Sequence, residues 1–253
     1  MSNNDIKNFK YLDNLIHSEI KEIVLDTDIV LGDNEKSGYK DGIKLDLDDL
    51  AIDWNSHSID ARGVTRIFYC TGKNVTIKNI ILKRGFTEEK GGAIHNNGEL
   101  TITESTLTEN TAQGLIGQGG AIHNNGELTI TESTLNNNTT KDDGGAIYNN
   151  GELTITESTL KENTADRDGG AIHNSGELTI TESTLKENTA DRDGGAIYNS
   201  GELTITESTL TENTAQLDGR TIHNYGEKSF TIKGCKLDNN IPMISKNLNN
   251  NIQ

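Results

Sequence analysis

Apolar side chains alternate with polar ones over short stretches, and this alternation returns along the chain at a nearly fixed interval. In GELTITESTL at 98–107, Leu100 and Ile102 are separated by one threonine, and Leu107 follows in the same string. Strict alternation rich in β-branched residues predicts a half-buried strand over LTIT, and GGAIHN upstream predicts a second, with Ile94 pointing inward. A third, shorter strand is expected around Ser158 to Leu160 and its equivalents. Gly-Gly before Ala-Ile, and Asn-Gly or Ser-Gly before Glu-Leu, read as corners. Residues 5–20 follow a different rule: Ile6, Phe9, Leu12, Leu15, Ile16 and Ile20 have the spacing of an amphipathic helix.

The ten-residue string occurs letter for letter at 98–107, 126–135, 151–160, 176–185 and 201–210, and the last four copies start 25 residues apart. A period of this size marks a solenoid. One unit holds only four large aliphatics, for instance Ile147, Leu153, Ile155 and Leu160, together worth ~8 kcal/mol when buried. Ordering the unit costs several times that, at ~1 kcal/mol or more per residue. A lone unit therefore cannot fold, and its apolar side must be completed by a neighbour.

Three strands and three corners in each unit make one coil of a single-stranded parallel β-helix, all-β, with about nine coils and a short N-terminal capping helix. Parallel crossovers are right-handed, and the hexapeptide period of left-handed β-helices does not fit this one. The competing fold is a leucine-rich repeat, since Leu160-x-x-Asn163-x-Ala165 mimics part of its LxxN stretch. That fold would need a helix in every unit and would leave the GGAI strand unused.

Four regions follow: a cap with the helix at 1–22, irregular opening coils at 23–90, five near-identical repeats at 91–218, and a degenerate last coil with a polar tail at 219–253. Val75, Ile77 and Leu82 already share the spacing of Leu100, Ile102 and Leu107, so coiling is expected to begin before the exact repeats. The first repeat is three residues longer through Gln113 to Gln118, Arg220 replaces a glycine in the last, and Pro242 marks a stop.

Coils stack ~4.8 Å apart, so every repeated position becomes a column. Ile94, Ile122, Ile147, Ile172, Ile197 and Ile222 are expected inside, with further columns headed by Leu100, Ile102 and Leu107. Asn110, Asn138, Asn163, Asn188 and Asn213 recur at a corner, where stacked amides satisfy one another and the carbonyls of the bend.

Three columns are expected outside. His95, His123, Tyr148, His173, Tyr198 and His223 form a ring column, the first candidate for ligand binding because rings hold the faces of sugars. His and Tyr alternate where a column of metal ligands would need nitrogen, so these rings are not read as a metal site. Glu99, Glu127, Glu152, Glu177, Glu202 and Glu227 form an acidic column, with Glu104, Glu132, Glu157, Glu182 and Glu207 beside it. Like charges ~4.8 Å apart repel by ~1 kcal/mol even in water, and calcium is the cation that would relieve them. The plainer reading is that these side chains splay into solvent and no cofactor is needed. The third column pairs Thr101 with Thr103, and likewise in each repeat. It resembles the Thr-x-Thr array of β-helical antifreeze proteins, which makes ice binding an alternative.

Composition narrows the partners. Hydrophobic residues make up 32% and aromatics 4%, and the net charge is −16; without the repeat this would indicate disorder. Acidity argues against nucleic acid and anionic membranes, which reward clustered Lys and Arg. Cys70 and Cys235 lie in opposite halves of an in-line stack and are expected to remain unbridged. The opening MSNNDIKNFKYLDNLIHSE has no uninterrupted apolar stretch, so no secretory signal, anchor or membrane span is expected. Asp53, Asp60, Arg62, Arg66, Lys83 and Arg84 are the catalytic candidates, and none completes a pectate-lyase or polygalacturonase motif. With both ends of the stack blocked, a monomer is expected.

GGAIHNNGELTITESTL and GGAIYNSGELTITESTL resemble the GGAI-type repeats of polymorphic outer-membrane proteins and, more closely, archaeal adhesin-like proteins with right-handed β-helix repeats. LAIDWNSHSIDARGVTRIFYCTGKNVTIKNI is similar to the first coils of the latter, except that Trp54 and Ser56 stand where that family has glycine. The resemblance covers about residues 43 to 240. It implies a non-enzymatic, adhesin-like rod at the cell surface, a binding or spacer module with a polysaccharide or surface glycan as partner. A polysaccharide-active lyase or glycosidase is the alternative that other β-helices suggest.

Overall fold

The computed structural model describes residues 7–18, 20–225 and 228–237. Its strands run parallel and pair only with their equivalents one coil before and after. A nine-stranded sheet collects the ELTIT segments from Glu22–Val24 through Glu99–Thr103 to Phe230–Lys233. An eight-stranded sheet collects the Ile-x-Asn segments from Ile43–Leu45 to Ile222–Asn224, and a second nine-stranded sheet runs from Ile29–Val30 to Lys236–Leu237. Nine coils are thus present among the described residues.

Register follows from burial. Leu128 pairs with Leu153 and Ile130 with Ile155, and the columns headed by Ile94, Leu100, Ile102 and Leu107 are at most 2% exposed. A slip of one residue would turn every aliphatic outward and every threonine inward. The Asn110 column stacks as expected: Asn138 Nδ2 donates to Asn163 Oδ1 at 3.0 Å and to the Leu107 carbonyl at 3.0 Å. A second buried ladder was hidden in GGAIHN. Asn124 Nδ2 donates to Asn149 Oδ1 at 2.8 Å and to the Glu152 carbonyl at 2.9 Å.

One expectation needs correction. Six coils carry a fourth strand of two residues, from Phe86–Thr87 to Thr214–Ala215, where a bend was expected; two residues are too short to show an alternation. Glycine does not make every corner. Glu104, Glu132, Glu157, Glu182 and Glu207 turn the chain in the left-handed region at φ 48 to 50°. A ladder bond holds each bend, as where Glu132 N–H donates to the Thr156 carbonyl at 3.1 Å. Gly91 and its equivalents do turn at positive φ. At Gly151 the need is different: a Cβ would overlap the Gly126 carbonyl oxygen of the preceding coil.

The helix, α1 (Phe9–Ile16), is shorter than its pattern suggested and buries Phe9, Leu12 and Ile16. Asn8 caps it by accepting from Tyr11 N–H at 3.0 Å. It packs on the Ile29–Val30 and Ile43–Leu45 strands, closing the first coil. Ile20, beyond its end, is exposed, and Ile6, Pro242 and Glu227 lie outside the described residues. In the corner at 54–56, Asn55 and Ser56 take positive φ while Trp54 turns fully inward, its ring 6.2 Å from that of Phe68. Both thiols are free; Cys70 is buried and its pKa is pushed up to about 12 by burial.

Candidate functional site

The buried Asn96 ladder shapes the surface above it. Asn96 Nδ2 is tied to Asn124 Oδ1 and to the Glu127 carbonyl, at 2.7 and 2.9 Å, so the chain must bend outward at Asn97 and Gly98 before Glu99 opens the next strand. Repetition of that bend leaves an open groove of about 630 Å³ running parallel to the axis. Backbone at Gly98, Gly126, Gly151 and Gly176 lines it, together with Asn97, Asn125, Asn150 and Ser175. Glu99, Glu127, Glu152, Glu177 and Glu202 all line it too, so the acidic column and the Asn corner form one surface. Lys73 and Lys228 mark its two ends, roughly 29 Å apart at ~4.8 Å per coil.

The groove's amides are held in place before any ligand arrives. Asn97 Nδ2 donates to Tyr69 Oη at 2.8 Å, Asn125 Nδ2 to Asn97 Oδ1 at 2.8 Å, and Asn150 Nδ2 to Asn125 Oδ1 at 3.1 Å. Asn125 Nδ2 also lies 3.4 Å from His95 Nε2, whereas Asn97 and Asn150 each use one N–H in the column and keep the other for a ligand.

The six ring residues form one continuous stack, which Tyr69 begins. Centroids of successive rings from Tyr69 to His223 lie 4.6 to 5.2 Å apart, and from His123 onward neighbouring planes are inclined by 20° or less. The rings leave the strand on its outer side, but they are not free in solvent as expected. His123 is fully buried and His173 and His223 are 8% and 7% exposed. Ring faces are occupied by neighbouring rings, so a sugar could meet edges but not faces. Burial lowers the pKa of His95 to about 4, His123 to about 3 and His173 to about 4, which leaves these imidazoles neutral at pH 7. His95 and His123 turn Nε2 toward Asn97 and Asn125 Oδ1, each at 3.1 Å, and thereby orient the groove amides.

The threonine ranks stand on the outer face of the ELTIT sheet, partly exposed. Thr181 Oγ1 and Thr206 Oγ1 are 3.1 Å apart, so hydroxyls there bond along the column. In the opening coils Arg84 pairs with Asp60, Arg62 with Asp33 at 2.7 Å, and Lys78 with Asp53 at 3.1 Å. Arg66, 4% exposed, donates to the Lys90, Gly91 and Asp41 carbonyls. These contacts bind coil to coil and bring Asp60, Arg62, Lys83 and Arg84 together, since Asp60 also accepts from Arg62 N–H at 2.9 Å and pairs in register with Lys83, away from the residues that line the axial groove.

Fold and surface together define a parallel β-solenoid with a ligand-sized groove along its repeats. The family described as a right-handed β-helix region matches residues 58–241, and the chain belongs to it. Its coils are therefore right-handed. No curated protein and no solved structure is significantly similar to the chain. No helix among the described residues is long and apolar enough to cross a membrane.

Proposed function

We propose that the chain is a non-catalytic, adhesin-like β-helix rod that binds an extended glycan along the axial groove. What carries this reading is the recurrence of one set of groups, amide or hydroxyl beside carboxylate, at ~4.8 Å steps over the length of the groove. A surface that repeats by translation suits a polymer better than a compact ligand. Its carboxylates disfavour polyuronates and favour neutral or amino sugars. Calcium at the Glu127 and Glu152 column would reduce that repulsion. The GGAI wording resembles that of archaeal adhesin-like and polymorphic outer-membrane repeats, and this resemblance supports placement at a cell surface.

A glycan array with the full chain, with and without calcium, tests the reading. Retention of neutral or amino-sugar polymers, lost in Asn125→Ala/Asn150→Ala with the fold intact, is the expected result. Absence of any retained glycan, or cleavage of a bound polymer that ends on Asp60→Asn substitution, would overturn it.

A further inference from the structure

Beside the ring stack, a second column has no counterpart in the groove. The residue before the first glycine of each repeat is Lys90, Gln118, Asp143, Asp168, Asp193 and Asp218 in successive coils, so acids occupy the column from the third of these coils onward. Each aspartate joins its neighbour through the backbone: Asp193 N–H donates to Asp168 Oδ1 at 3.2 Å and Asp218 N–H to Asp193 Oδ1 at 2.8 Å. Two histidines face this column. Asp193 Oδ1 lies 4.0 Å from His223 Nδ1, and ligand atoms of Asp193, Asp218 and His223 all fall within 4.8 Å of one another. Fifty residues earlier, Asp143 Oδ2 lies 3.8 Å from His173 Nδ1. That nitrogen is buried and has no hydrogen-bond partner.

These separations are too long for a hydrogen bond and about 0.5–0.7 Å beyond the ~3.3 Å between two ligands of a tetrahedral ion with bonds of ~2.0 Å, a gap that a small side-chain rotation closes. A neutral imidazole nitrogen between carboxylates is a donor set for zinc-like ions, whereas calcium prefers oxygen alone. We propose that the chain binds a divalent transition-metal ion of the zinc class at Asp193, Asp218 and His223, and a second, more weakly, at the repeat-related Asp143 and His173.

Local charge ranks the two. Around the upstream site Arg167 pairs with Asp142, and Arg192 lies 3.9 Å from Asp168. One repeat after Arg192 the equivalent position is Leu217, which is exposed. Among the described residues no Lys or Arg nitrogen lies within 4.0 Å of the Asp193 carboxylate, whose ion-pair contact is with the His223 imidazole. The downstream carboxylates thus keep a charge that a cation can neutralise, while guanidinium groups compete at the upstream copy.

Titration of the full chain with Co²⁺ at neutral pH, followed by visible d–d absorption and displaced by Zn²⁺, tests this. Two equivalents are expected. His223→Tyr and His173→Tyr insert the residue that other coils place in the same stack, so folding is retained and circular dichroism checks it. Each should remove one equivalent, His223→Tyr the tighter, and the double variant both. Leu217→Arg should weaken only the tighter site, by roughly 10- to 100-fold. A Co²⁺ stoichiometry unchanged by either tyrosine variant, or wild-type protein with no d–d spectrum, would overturn the proposal.

Discussion

The opening coils and the exact repeats solve the same packing problem in different ways. Before residue 91, coils are joined by contacts used once, such as Arg84 with Asp60 and the buried Trp54 against Phe68. From residue 91 onward contacts are copied, as where Asn163 Nδ2 reaches Asn188 Oδ1 at 2.9 Å and Asn188 Nδ2 reaches Asn213 Oδ1 at 2.9 Å. The difference teaches that identical units need no large side chain to fit together. A ladder of small amides and aliphatics is enough when each layer repeats the one below, whereas an irregular layer needs a bulky or charged residue to fill its own shape.

The comparison can be broken most forcefully at Trp54. Trp54→Ala empties a fully buried site, and a loss of ~3–5 kcal/mol is expected by urea denaturation. Asn163→Ala interrupts one rung of the copied ladder and should cost ~1–3 kcal/mol, because the groups left behind are buried polar atoms. Adding Asn188→Ala to it should cost less than the sum of the two single losses. If Asn163→Ala proves costlier than Trp54→Ala, the contrast between the regions is wrong.

Acid should act on the ring stack. The folded-state pKa of His123 is lowered to about 3 by burial, below ~6.5 for an unfolded histidine. Its contribution is therefore present above pH ~6.5 and is lost as pH falls toward the folded value, by ~1.4 kcal/mol per pH unit. His123→Tyr should flatten that limb in urea midpoints measured across the range. The smallest effect is expected at a corner: Glu157 holds φ 48°, and Glu157→Asn should raise stability by ~0.5–1 kcal/mol, read as a shift in Tm.

The inward columns, the first helix and the Asn110 ladder were legible in the chain because burial leaves a period in the sequence. Leu100, Ile102 and Leu107 show it directly. The corners at Glu104 and Glu132 were not, since a left-handed glutamate is held by bonds to the next coil that no local pattern reveals. The ring column was legible as a column but not as a buried one. Alternation shows on which side of a strand His123 leaves, not what will lie over it. The groove was half visible: its glutamates were singled out, while Asn97, Asn125 and Asn150 joined them only once the bend above the Asn96 ladder had a shape. The aspartates facing His173 and His223 sit in loops whose approach depends on coil stacking.

Copies stacked residue on equivalent residue make length an adjustable property. Duplicating or deleting one unit between Gly144 and Asp218 would leave every remaining layer with the same kind of neighbour, yet change the reach of the groove by ~4.8 Å. If successive units each grip one segment of the same polymer, avidity rises with copy number and needs no new side chain. Recombination within the identical tracts could then tune how firmly the rod holds without ever redesigning the hold itself.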